Sequence, residues 1–149
     1  MSVHLFFVCT GNVCRSPMAE GIARHLAAVA GVDVVVSSAG TTASANEPAS
    51  SEAVAVCREI GVDLSAHRSQ PISAELVRAA DHIFVMEHNH AEWIREFYPE
   101  AAEKVLLLGV LAGGAEIDDP YGAWFRSTYL KTRNRIEIAV SAFMQRLKG

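Results

Sequence analysis

Val3-His4-Leu5-Phe6-Phe7-Val8-Cys9-Thr10-Gly11-Asn12-Val13-Cys14-Arg15-Ser16-Pro17-Met18 is the stretch that decides the fold. Val3 to Val8 is a nearly unbroken apolar run, rich in Val and Phe. Such a run predicts a strand buried on both faces, as in a parallel sheet. Ser16 and Pro17 bring N-cap and N1 chemistry and open a helix. Met18, Ile22 and Leu26 keep a four-residue spacing along it. A tight loop lies between strand and helix. Its backbone N–H groups can curl around one anion, and the helix N-terminus adds partial positive charge. Gly11 is expected to take the positive φ of that turn, with Asn12 as a tolerable second residue. Arg15 offers a planar fork that matches two phosphate oxygens.

Outward from this stretch, strand and helix patterns alternate. Val32 to Ser37 reads as a second strand, and the Gly/Ser/Ala/Thr stretch Ala39 to Ser50 as a loop. Ser51 to Ile60 reads as a helix closed by Gly61. A short helix over Glu75 to Ala80 precedes a third strand, His82 to Met86. A helix over Glu92 to Phe97 stops at Pro99, and Val105 to Leu108 is a fourth strand. The last helix is the clearest. Phe125, Tyr129, Thr132, Ile136, Val140, Phe143 and Leu147 recur at three- and four-residue steps. This alternation predicts a three-layer α/β fold, a four-stranded parallel twisted sheet with helices on both faces. Right-handed crossovers place the ligand site at the carboxyl edge of the strands. No internal repeat or linker divides residues 1–149, so a single domain is expected.

Composition narrows the function. A chain this long buries about two thirds of its unfolded surface and needs no disulfide or metal to fold. Half of it is apolar and 20% is charged, which excludes a disordered tail, a collagen-like repeat and a coiled coil. Thirteen Lys and Arg against seventeen Asp and Glu leave a formal net charge of −4. General nucleic-acid binders are usually basic, so no nucleic-acid partner is expected. An anionic substrate must then be held by a local site. Met1 to Phe7 carries no basic n-region, and Val105 to Ala115 is too short and Gly-rich to span a bilayer. Three cysteines, an odd number, do not suggest a disulfide scaffold, so a reduced, cytoplasmic setting is expected.

Cys9 sits at the base of the anion cradle. A thiolate there would be stabilised by the helix N-terminus, the N–H ring and Arg15, and would attack at neutral pH. A cysteine after a strand can also be a small core residue, and a glycine there only a turn. The strand before and the helix after favour the cradle. Asp118-Asp119-Pro120-Tyr121-Gly122 alone reads as a surface turn. The charge of Asp118 would tend to keep Asp119 protonated. His82, His88 and His90 are spaced by six and two, which matches no metal-ligand pattern, so no metal is expected. Lys131, Arg133 and Arg135 are expected on a solvated face, and Cys57 in packing.

Val8 to Glu20 resembles the signature of the low-molecular-weight protein tyrosine phosphatases. Ser37-Ser38-Ala39-Gly40-Thr41 resembles that family's second-strand exit, and Asp118 to Gly122 its acid loop. The resemblance implies a flavodoxin-like sheet of the phosphotyrosine phosphatase I type, a phosphorylated protein as substrate and no cofactor. A monomer is expected. By the resemblance, Cys9 attacks phosphorus to form a phosphocysteine, Arg15 clamps the equatorial oxygens, and Asp119 protonates the leaving oxygen. Asp119 then acts as base on the water that frees Cys9. Thr10, Gly11, Asn12, Val13, Cys14 and Ser16 form the substrate-binding loop, with Tyr121 as a wall. Ser16 resembles the hydroxyl that stabilises the thiolate, and Asn12, Ser38 and His67 the set that holds the loop in its strained shape. Cys14 is either a reversible disulfide partner of Cys9 or a small buried residue. Activity is expected to be best in mildly acidic solution, where Asp119 stays protonated.

Substrate choice turns on Val13, which by the resemblance faces the pocket. Protein-arginine phosphatases of bacteria carry Thr there, and tyrosine phosphatases a branched apolar residue. Val offers no hydroxyl to a guanidinium or its phosphate, which favours phosphotyrosine. Ala43-Ser44-Ala45-Asn46 lacks the aromatic that eukaryotic members place there, and Met86 to His90 and Ala112 to Asp119 look more like the arginine-phosphatase branch. A protein-arginine phosphatase of the same mechanism is therefore the alternative. Remoter readings fit less well. A thioredoxin-coupled arsenate reductase needs later thiols, and none follows Cys57. A cysteine phosphocarrier needs neither Arg15 nor Asp119. A non-catalytic phosphate-binding module would tolerate losing Cys9 or Asp119, and both are present.

Overall fold

Val3–Cys9 (β1) is buried on both faces because two layers of helices enclose it. In the computed structural model, which describes residues 2–149, β1 pairs with β2 (Val34–Gly40) and β3 (His82–Val85), and β4 (Val105–Leu107) lies beyond β3. Every pairing is parallel and the order is β2-β1-β3-β4. The helices are α1 (Arg15–Ala30), α2 (Ser51–Arg58), α3 (Ala74–Ala79), α4 (His88–Phe97) and α5 (Arg126–Lys148). Two 3₁₀ turns, Pro99–Lys104 and Leu108–Ala112, flank β4.

Alternation along β1 sorts the two cores. Leu5, Phe7 and Cys9 pack with the buried faces of α1, α2 and α5. Phe6 and Val8 pack with Val77 of α3 and with Ala91 and Ile94 of α4. The expected three-layer α/β architecture is the observed one. In α5, Tyr129, Thr132, Ile136, Val140 and Phe143 face the core as their spacing predicts. Phe143 meets Phe84 of β3 edge-on, with ring centroids 4.8 Å apart. Phe125 breaks the pattern: it precedes the helix as its N-cap and is exposed.

Several boundaries shift for local reasons. α1 starts at Arg15 after an N-cap Cys14 that makes no side-chain cap bond, so Ser16 is not the cap. α2 ends at Arg58, and Gly61 takes φ +79° one turn later. β2 continues to Gly40, whose N–H donates to Gln70 O at 3.0 Å. α4 starts at His88 rather than Glu92, because Glu87 and His90 close a capping box at its N-terminus. Lys131 is exposed, but Arg133 and Arg135 do not form a solvated face. Arg133 donates to Val56 O at 2.8 Å and Arg135 to Glu116 O at 2.8 Å, tying α5 to α2 and to the acid-loop segment.

From β1 the chain crosses to β2 on one side and later returns to β3 on the other. The carboxyl ends of β1 and β3 therefore face a crevice at the switch point. The loop after Cys9 sits there.

Candidate active site

The loop after β1 is held from behind by one buried asparagine. Asn12 adopts φ 56°, and Gly11 does not take a positive φ. This reverses the expected roles, and hydrogen bonding explains why. Asn12 Nδ2 donates to Ser16 Oγ at 2.7 Å and to Ser38 Oγ at 3.0 Å. Its Oδ1 accepts from Gln70 N at 3.0 Å, which fixes the amide orientation. His67 Nε2 donates to Asn12 O at 2.8 Å. Ser38 Oγ donates in turn to the Glu20 carboxylate. Gly40 completes the support by close approach. A Cβ there would lie 2.4 Å from Thr10 O and 3.0 Å from Asn12 N.

Cys9 is buried at the loop base. Asn12 N donates to its Sγ at 3.3 Å, and Ser16 Oγ lies 2.9 Å from it. Because Ser16 Oγ already accepts from Asn12, its proton is free to point at the sulfur. The arrangement supplies two donors to a thiolate. Arg15 is 1% exposed. Its guanidinium pairs with Glu87, donates to Ile117 O at 2.8 Å and comes within 3.6 Å of Asp119 Oδ2. Its buried Nε has no partner among the described residues, a donor left for an oxyanion. Burial alone would raise Glu87, but the hydrogen bond and charge of Arg15 outweigh it and hold the carboxyl below its usual range.

A cavity of about 270 Å³ opens over Cys9. Thr10, Gly11, Val13, Cys14, Arg15, Asp119 and Tyr121 line it, joined by Thr42, Ser44 and Glu47. Asp119 reaches it from a loop in which its Oδ1 accepts from Tyr121 N at 3.0 Å. The acid loop and the cysteine loop, distant in sequence, thus meet across one pocket. Asn12, Ser16, Ser38 and His67 lie behind the loop. Asn12 and Ser16 support the pocket from there, because the Asn12 side chain bonds Ser16, whose Oγ lies against Cys9 Sγ, and neither lines its wall. Cys14 is a free thiol, as is Cys9. Its Sγ donates to Ser50 Oγ at 3.2 Å and sits 3.8 Å from Tyr129 Oη, and burial pushes it up to about 11.

Sequence reading missed two residues here. His90 is fully buried: its Nδ1 accepts from Glu87 N at 3.1 Å, so its Nε2 carries the proton and donates to Thr10 Oγ1 at 2.9 Å. Glu87 holds Arg15. The signal was the run Glu87-His88-Asn89-His90, whose Glu and His stand three apart as a cap pair.

The family model described as low molecular weight phosphotyrosine protein phosphatase matches residues 4–149. The chain belongs to that family. It is 36% identical to a protein-arginine-phosphatase of Bacillus subtilis, over 97% of this chain and 96% of that one. It is 37% identical to the low molecular weight protein-tyrosine-phosphatase Etp of Escherichia coli, over 78% of this chain and 76% of that one. A crystal structure of a YwlE mutant from Bacillus subtilis superposes with a TM-score of 0.92 at 35% identity, covering 99% of this chain and 100% of that one. A cysteine-to-serine mutant of the YwlE arginine phosphatase, with a phosphorylated active site serine, gives a TM-score of 0.92 at 34% identity over 98% and 96% of the two chains. As a low molecular weight phosphatase, this chain is a cysteine-dependent phosphomonoester hydrolase acting on phosphorylated protein. Among the described residues no helix is long and apolar enough to cross a membrane.

Proposed function

We propose that the chain is a protein-tyrosine phosphatase in which Cys9, Arg15 and Asp119 carry the reaction. The observation that carries this reading is the single pocket that holds Cys9, Arg15 and Asp119 together. Phosphate oxygens sit in the N–H ring against Arg15 Nε. Cys9 Sγ attacks phosphorus in line, the P–S bond forms, and the P–O bond to the leaving group breaks. Asp119 delivers its proton to the leaving oxygen. The ionised Asp119 then takes a proton from water, whose oxygen attacks phosphorus. The P–S bond breaks and returns its electron pair to Cys9, held by Ser16 and the Asn12 N–H. Glu87 positions Arg15, and His90 positions Thr10. Val13 and Tyr121 give the pocket an apolar wall and a ring suited to an aryl group.

The second reading, a protein-arginine phosphatase, is favoured by the arginine-phosphatase names among the near-full-length relatives. Comparing kcat/KM on a phosphotyrosine peptide and an arginine-phosphorylated protein, with EDTA present and Cys9→Ser as blank, separates the two. Preference for the tyrosine substrate supports the first, and preference for phosphoarginine replaces it with the second. Asp119→Asn is expected to lower kcat by about 10²–10⁴-fold. Wild-type turnover by that variant would remove Asp119 from the acid role.

A further inference from the structure

The pocket does not end at its rim. A groove of about 500 Å³ continues from it, sharing Val13, Ser44, Glu47 and Tyr121, and runs over Pro48 and Ser50 to Glu52 at the start of α2. Its wall is built. Ser69, buried, accepts from Glu47 N at 2.9 Å, and its hydroxyl donates to Ser44 O. Ser69 N donates to Glu47 O at 2.7 Å. The backbone of Glu47 is therefore fixed, while its carboxylate has no hydrogen-bond or ion-pair partner among the described residues. Among the described residues Glu52 accepts only from Ser51, at 3.3 Å, and it complements the helix N-terminus. Among the described residues no Lys, Arg or His lines the groove. A second observation marks where the occupant starts: the unpartnered, buried Arg15 Nε in the adjoining pocket calls for an oxyanion there.

We propose that this groove receives the substrate's polypeptide beside the phosphorylated residue, and that Glu47 and Glu52 select segments carrying Lys or Arg there. The inference rests on the phosphotyrosine-phosphatase reading. A chain whose phosphate lies against Arg15 leaves the pocket past Glu47. The unpartnered Glu47 carboxylate, and the Glu52 carboxylate that meets only Ser51 and the helix N-terminus, attract a basic flank and repel an acidic one on a protein of net charge −4.

The test uses the full chain and three probes: para-nitrophenyl phosphate, and two phosphotyrosine peptides of one scaffold with Lys or Glu flanking the phosphotyrosine. At low salt the Lys peptide is expected to exceed the Glu peptide about tenfold in kcat/KM, with the ratio falling toward one at high salt. E47Q/E52Q is expected to bring the ratio near one, and E47K/E52K to invert it. The ratio within each variant is the readout, so a general loss of activity does not mimic the effect. Equal kcat/KM for the two peptides in the wild-type enzyme, or a ratio that E47K/E52K leaves unchanged, overturns the groove while leaving the phosphatase reading intact. An enzyme inert toward para-nitrophenyl phosphate overturns the phosphatase reading and the groove with it. Hydrolysis of that compound but of neither peptide rejects the phosphotyrosine substrate and the groove, and keeps the chemistry.

Discussion

Asn12 occupies a left-handed conformation that costs most L-residues about 1–2 kcal/mol. It persists because its side-chain amide and backbone carbonyl join Ser16, Ser38, Gln70 and His67, residues from three separate segments. Backbone shape and side-chain bonding are thus separable. Asn12→Gly keeps access to the positive φ but loses the side-chain bonds to Ser16, Ser38 and Gln70, and Asn12→Ala loses both. Both variants should lose at least about tenfold in kcat on an aryl phosphate, since Ser16 is no longer oriented toward Cys9. Asn12→Ala should melt below Asn12→Gly, by the added strain. Equal melting temperatures would mean that the φ carries no cost. Cys9 and Arg15 could be picked out from residue type and spacing, and Asp119 only through the family resemblance. The choice of Asn12 over Gly11 for the left-handed position could not. Local propensity ranks Gly first, and only long-range partners reverse the order.

β1, β3 and β4 were legible because both faces of the sheet are covered, so they read as nearly continuous apolar runs, whereas Ser37, Ser38 and Gly40 hid the end of β2. The start of α4 was not, because Glu87, His88, Asn89 and His90 carry no apolar period. What organises them is the capping box, which also serves the pocket. Arg133 and Arg135 look like a solvated pair for a similar reason: their acceptors are backbone carbonyls of other segments, which no sequence pattern displays. The cap has a pH signature. Burial, then the charge of Arg15, push His90 down to about 4 from its ordinary 6.5. As pH falls from 6.5 toward 4, the unfolded chain takes up a proton there that the folded chain refuses. Stability is full above this window and declines through it, by on the order of 3 kcal/mol at most. Glu87 acts lower, since its stabilising ionisation is lost only below its ordinary 4.5. His90→Asn can still accept from Glu87 N but does not titrate. Its melting temperature should fall less steeply between pH 6.5 and 4.5 than that of the wild type. Parallel slopes would show that His90 is not the group responsible.

At the scale of the molecule, one sheet edge gathers loops that belong to different parts of the fold. The cysteine loop is tied to α2 by Ser50 N–H donating to Val13 O at 2.8 Å. It is tied to the second-strand exit by Thr41 N–H donating to Cys9 O at 3.0 Å, and to α5 by the contact of Cys14 with Tyr129. Through Arg15 it reaches Glu87 and the segment at Ile117. An oxyanion in the N–H ring would draw on all of these at once, and the unfolded chain has no such ring. Binding should therefore stabilise the whole fold by mass action, by about 2.7 kcal/mol at 100 times Kd. For a domain of this size that corresponds to a rise of roughly 5–10 °C in Tm. Phosphate or vanadate titrated into the protein should raise Tm in this way, with the rise continuing logarithmically above Kd. Arg15→Met fills the same space without the fork, and should melt at a temperature that the anion barely moves. If the Arg15→Met protein shifts as far as the wild type, the anion is bound elsewhere and Arg15 does not face it.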